Sequence, residues 1–218
     1  MIVLETNTRS SKSGRTPPAL EIRIHFTDGS TETFFQPEVE LAENILRQIA
    51  PSHLFAQNRI VVADDYSKSV FVCSEINRID FVYDGDGFSH LPDDHADLVE
   101  ITGEVFDQHV PLNDPSRLDR RVQYRQVGDL FVSFHNLKMR GGSRVYLVEE
   151  KLVKLPADSQ SYMQRYLSKG ALAVRLPGGG QSVLNLANLM GYSVYPGVPE
   201  IPSDSWMAQP KETYEIFY

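Results

Sequence analysis

Leu20-Glu21-Ile22-Arg23-Ile24-His25-Phe26, with the Thr27-Asp28-Gly29-Ser30 that follows and the return Thr31-Glu32-Thr33-Phe34-Phe35-Gln36, decides the fold class of this chain. Leu20, Ile22, Ile24 and Phe26 alternate with Glu21, Arg23 and His25, the period of a half-buried strand. Asp28-Gly29 supplies the positive φ that a tight hairpin requires, so Thr31 to Gln36 reads as the second strand. Beyond it, Leu41, Ile45, Leu46 and Ile49 fall at helical spacing, which predicts a helix over 40–50 that Pro51 stops. Arg59 to Ala63 is a third strand, Asp64 to Ser67 a turn, and Ser69 to Val82 the closing strands. Residues 19–83 therefore form a β-β-α-β-β unit.

A second β-rich unit, 99–190, repeats part of this order. Val99 to Val110 reads as extended, Asn113-Asp114-Pro115 as a loop, Leu130 to Phe134 as a strand, Lys138 to Gly142 as a turn and Arg144 to Leu155 as closing strands. Arg59–Ala63 matches Leu130–Phe134 in pattern, and Val70–Ile79 matches Val145–Lys154, a period of roughly 70–76 residues that suits a small domain rather than a solenoid. Ala171 to Leu176, the turn Pro177 to Gly180, and Gln181 to Leu186 form a late hairpin resembling the one at 19–29. It is expected to supply the opening strands that the second unit lacks. Gly178-Gly179-Gly180 has no following Lys-Ser/Thr, so it reads as a flexible hairpin tip and not a phosphate loop. The polar stretch 1–18 reads as a mobile tail, 84–98 as an acidic linker, and 191–218, rich in Pro and aromatics, as a tail wrapping the body. The expected fold is mainly β with short helices, a β-rich α+β protein of two related small bent-sheet or barrel-like units.

The first unit resembles the Sm-like small β-barrel group, through the hairpin at Thr27–Ser30, the strand Ile60–Ala63 and the closing run Ser74–Phe81. The resemblance covers about 65 residues and departs in one respect: those barrels begin with a helix, whereas here the helix lies between strands. It implies a strongly bent sheet, exposed edge strands and a tendency to oligomerise or bind along those edges. No functional residue carries over.

Hydrophobic residues make up 41% and charged residues 23%, enough to build a core. No run approaches the roughly 18–20 apolar residues that span a bilayer, so no membrane partner is expected. Met1 to Thr6 carries an acid where a signal peptide needs an apolar run, which points to a cytoplasmic protein. The single cysteine, Cys73, excludes an internal disulfide and a cysteine-based zinc cluster, and its apolar surroundings suggest a buried thiol. No metal site, cofactor site or catalytic set is recognised. Asp84 and Asp86 fail the register of a calcium loop, His90, Asp93, Asp94, His95 and Asp97 form a polar connector, and His109 and His135 read as structural.

The net charge of −8 is unevenly spread. Residues 84–114 carry nine acids and no Lys or Arg, and residues 117–175 carry twelve Lys/Arg against five acids. Arg117, Arg120, Arg121, Arg125, Lys138, Arg140 and Arg144 are the candidate binding residues, interleaved with Tyr124, Phe131 and Tyr146. The leading expectation is a non-catalytic protein-interaction or self-association module. An RNA- or DNA-binding module using 117–154, and a hydrolase or metal enzyme with a dispersed site, are the alternatives.

Overall fold

The computed structural model describes residues 19–64, 66–83, 98–110, 126–155, 166–195, 206 and 208. Eleven strands and three α-helices are defined among them. β1 (Leu20–Phe26) and β2 (Thr31–Gln36) form the opening hairpin. Gly29 takes φ 88° in its turn, and Asp28 Oδ1 accepts from Ser30 N at 2.8 Å. α1 (Val39–Gln48) buries Ala42 and Leu46 at helical spacing. Pro51 ends that helix but also opens α2 (Pro51–Leu54), because proline's fixed φ and missing N–H suit a first helical position. β3 (Arg59–Ala63) and β4 (Lys68–Val72) pair with each other as a separate two-stranded sheet. A 3₁₀ turn at Cys73–Glu75 leads into β5 (Ile76–Val82).

β6 (Leu98–Ile101) is followed by α3 (Gly103–His109), not by more strand. The extended reading of 99–110 is corrected here. The Thr102 side chain caps Val105 N, and Phe106 and Val110, one helical turn apart, are both buried. β7 (Leu130–Met139) and β8 (Arg144–Leu152) form a long hairpin, so Lys138 belongs to a strand and the turn begins at Arg140. β9 (Ala171–Arg175), β10 (Gln181–Asn185) and β11 (Leu189–Tyr195) complete the set, the last claiming residues read from sequence as tail. The tail at 1–18, the linker at 84–97 and nearly all of 196–218 lie outside the described residues.

Nine strands join one mixed sheet in the order β11-β7-β8-β6-β9-β10-β5-β1-β2. The late hairpin stands between the two segments: β10 pairs antiparallel with β5, and β9 meets β6 in parallel. The sheet rolls. Asn77 on β5 donates through Nδ2 to Arg140 O at 2.8 Å, although β5 and β8 are four strand spacings apart, about 19 Å in a flat sheet. The register shift between His25 and Phe26 releases Asn77 from regular alternation and supplies local bend.

The two faces are covered differently. On the outer face, α1, α2 and the β3–β4 hairpin pack on Leu20, Ile24, Ile79, Phe81 and Val183, and α3 packs through Phe106 on Ile101 and Val148. Leu98, Leu137, Leu147, Leu172, Val174 and Leu184 form the apolar centre of the inner face. Two buried asparagines, at the end of β10 and in the turn after it, lock onto the backbone of residues 73–76. Asn185 Nδ2 donates to Cys73 O (3.0 Å) and Ile76 O (2.9 Å), and Asn188 Nδ2 to Ser74 O (3.0 Å) and Ile76 O (2.8 Å). No described helix is long and apolar enough to cross a membrane.

Candidate functional site

Three surfaces or clusters carry chemistry. The first is the outward side of the β3–β4 hairpin. Strict alternation sends Ile60, Val62 and Phe71 inward, where Phe71 packs against Phe26 and Phe34. The same alternation sends Val61, Val70 and Val72 outward, exposed to 46%, 48% and 55%. Val61 and Val70 are direct cross-strand partners, and Val72 opposes Arg59. Lys68, opposite Ala63, closes the other end, so two cations frame the three valines and none of the described strand residues on this face is acidic; Asp64 stands in the adjoining turn, capping Tyr66 N and Ser67 N. Among the described residues neither outer edge of this hairpin pairs with another strand.

The second is the end of the β7–β8 hairpin. Lys138 and Arg144 are direct cross-strand partners, and Arg140 opens the turn between them; all three are exposed. The structure thus brings together three of the seven basic candidates. Arg117, Arg120, Arg121 and Arg125 lie outside the described residues. Of the interleaved aromatics, Phe131 is buried, Tyr146 is half-buried and packs on Phe106 at 4.7 Å between ring centroids, and Tyr124 lies outside the described residues.

The third is polar and internal, on either side of the apolar centre of the inner face. Toward β1, His25 Nε2 lies 2.9 Å from Asp80 Oδ2, and Thr31 Oγ1 lies 3.0 Å from His25 Nδ1. Arg78 bridges two carboxylates, Asp80 at 3.0 Å and Glu100 on β6 at 2.7 Å. Burial pushes the Asp80 carboxyl upward, but the His25 hydrogen bond and the Arg78 charge outweigh it and hold it below the ordinary range. Burial dominates at Glu100, whose carboxyl is raised despite Arg78. His25 thus bridges the Thr31 hydroxyl and the Asp80 carboxylate, and this line orients the imidazole, with an exposed hydroxyl at one end and a shielded carboxylate at the other.

Toward β7, His135 and Glu149 are wholly buried, with Nε2 3.3 Å from Oε2, and Lys151 Nζ donates to Glu149 Oε1 at 2.9 Å. Lys151 also sits 4.8 Å above the Phe131 ring. Burial pushes the Glu149 carboxyl up, yet the His135 ring and the Lys151 ammonium together hold it down at about 2. Pairing and the cation–π contact replace the lost hydration of these charges.

Sequence reading placed His109 and His135 beside strands. His109 stacks on Phe134 with ring centroids 5.2 Å apart, and His135 proves to be part of a buried charged group. A signal for that group does exist in the sequence. Ser133 and His135 share the inward register with Phe131, Leu137 and Met139, and Glu149 and Lys151 share it with Val145 and Leu147. Polar residues at positions where alternation demands apolar ones mark an internal polar site. Cys73 is buried, which raises its thiol above the ordinary range. Among the described residues no group of three or more His, Cys, Asp or Glu could hold a metal ion. No family model, curated protein or solved structure matches this chain.

Proposed function

We propose that the chain is a protein-interaction module whose contact surface is the outward face of the β3–β4 hairpin. The observation that carries this reading is the exposure of Val61, Val70 and Val72 side by side on a two-stranded sheet. Clustered β-branched residues on a solvent face add nothing to the core, and contiguous exposed apolar surface marks contact sites. Arg59 and Lys68 define the occupant: a partner segment apolar at its centre and acidic at its flanks. A second copy fits less well, because a face-to-face pair would bring the four framing cations together. The resemblance to the Sm-like group, with its binding along exposed strand edges, supports the same class of function.

The test is a photo-crosslinking amino acid at position 70 of the full chain, in the cell that makes it, beside a control at position 104. The expected result is a discrete adduct at 70 alone, mapped by mass spectrometry to an acidic-flanked apolar segment and abolished by V61S/V72S. Equal adducts at both positions, or adducts only between copies of this chain, would overturn the reading.

A further inference from the structure

We infer that the β7–β8 turn binds a phosphate group carried on a protein segment, one that lies along the outer edge of β11, which no described strand covers. Lys138, Arg140 and Arg144 gather at this turn, with Lys138 and Arg144 directly opposed. Like charges placed directly opposite each other on a sheet are destabilising, so the arrangement costs stability without an anion. Arg23, Arg47, Arg78 and Lys151 each have a carboxylate partner, whereas Arg59, Lys68 and Arg175 stand apart from one another without one among the described residues; only at this turn are two described cations directly opposed with a third between them. Among the described residues none forms an ion pair with Lys138, Arg140 or Arg144.

The turn is rigid and open. Asn77 Nδ2 donates to Arg140 O at 2.8 Å and reaches Ser143 Oγ at 3.3 Å, and Met139 N donates to Ser143 O at 2.9 Å. Gly141, at φ 77°, sits so close to Thr27 O that any Cβ would overlap it. The cations therefore project from a fixed frame, which lowers the entropy lost on binding. Gly142, between Arg140 and Arg144, and Gly191, opposite Lys138 on β11, would each point a Cβ into open space. An anion can approach the backbone at both places.

The surroundings select the carrier. Thr27 touches the turn and donates its hydroxyl to Glu75 at 3.1 Å, and Asp28 follows it in the same exposed loop. These acids confine the positive potential to one hairpin end, which suits a single dianionic group better than a long polyanion or a charged bilayer. β11 pairs only with β7 among the described residues, so its outer edge can take an added strand. Met190 and Tyr192 are exposed on that strand and offer apolar contact to the carrier.

The experiment uses the full chain, ¹⁵N-labelled, titrated with a degenerate peptide library bearing a central phosphoserine and with its unphosphorylated twin. Expected are amide shifts at Gly142, Arg144 and Gly191, at least tenfold tighter binding of the phosphorylated library, and loss of both in K138Q/R140Q/R144Q. That variant removes exposed charges alone, and a melting temperature equal to or above that of the unaltered chain establishes that it folds. V61S/V70S, altered only on the β3–β4 face, is expected to bind the phosphorylated library as the unaltered chain does. Equal binding of the two libraries, or binding retained by the triple variant, overturns the inference. A single-stranded oligonucleotide that binds more tightly than the library, and is lost in the triple variant, reassigns the turn to nucleic acid and overturns it too.

Discussion

His135 Nε2 lies 3.3 Å from Glu149 Oε2 on neighbouring strands, both side chains fully shielded from water, and Lys151 takes the other oxygen of the same carboxylate. Removing one member of a buried ion pair costs about 3–5 kcal/mol, because the remaining charge loses the main group that replaced its hydration. Glu149→Gln is therefore expected to lower unfolding free energy by that amount, measured by urea denaturation at neutral pH. A loss below about 1 kcal/mol would mean that Lys151 finds compensation elsewhere.

The same carboxyl gives a pH dependence whose sign is fixed. Its folded value, about 2, lies below the ordinary 4.5, so the folded state holds fewer protons than the unfolded chain between those values. The stabilisation is complete above the ordinary value and disappears as pH falls toward 2, a change on the order of 3 kcal/mol. Asp80, also held below its ordinary range, adds to the same trend. Denaturation midpoints followed downward from pH 5 should fall more gently in Glu149→Gln than in the unaltered chain. Parallel curves would contradict this.

Asn185 and Asn188 share one acceptor, Ile76 O. Each single change to Ala leaves that carbonyl one of its two side-chain donors, whereas the double change removes both. Each single variant should lose roughly 1–3 kcal/mol, and the double variant more than their sum. A double-mutant cycle measures the excess directly, and strict additivity would argue that water satisfies Ile76 O.

Gly180 shows what the glycine run does. At φ 93° it lies so near Phe81 O that a Cβ would overlap the backbone of β5. Gly178 has nothing within 4 Å and no positive φ. Gly180→Ala should therefore cost at least about 2 kcal/mol, and Gly178→Ala less than about 0.5. Thermal melts of the two variants make the comparison, and equal melting temperatures would show that the tip adjusts freely.

The assignment of the two faces of β4 is tested by neighbours in sequence. Phe71→Ala should destabilise by about 3–5 kcal/mol, since its ring contacts Phe26 and Phe34. Val70→Ser should stay within about 0.5 kcal/mol while removing binding at the β3–β4 face. A Val70→Ser variant that melts early would place that residue inside the core.

Sequence alone determined the local elements whose chemistry is local. Alternation from Leu20 to Phe26, Asp28-Gly29 in the turn and the spacing of Leu41, Ile45, Leu46 and Ile49 act over a few residues. They specify the first hairpin and α1 without reference to any distant contact. α3 is not legible in the sequence, because Phe106 and Val110 make too short an apolar repeat to be separated from a strand, and because Thr102 acts only once the chain turns. What the tertiary structure decided is everything that depends on distant pairing: β10 on β5, β9 beside β6, and the rolling that brings Asn77 to Arg140. Strand edges offer the same N–H and C=O groups to any neighbour, so partner choice comes from fitting side chains across the whole sheet. The β7–β8 register that gathers Lys138, Arg140 and Arg144 is set by its local turn, whereas the enclosure of His135, Glu149 and Lys151 depends on how the whole sheet rolls over them.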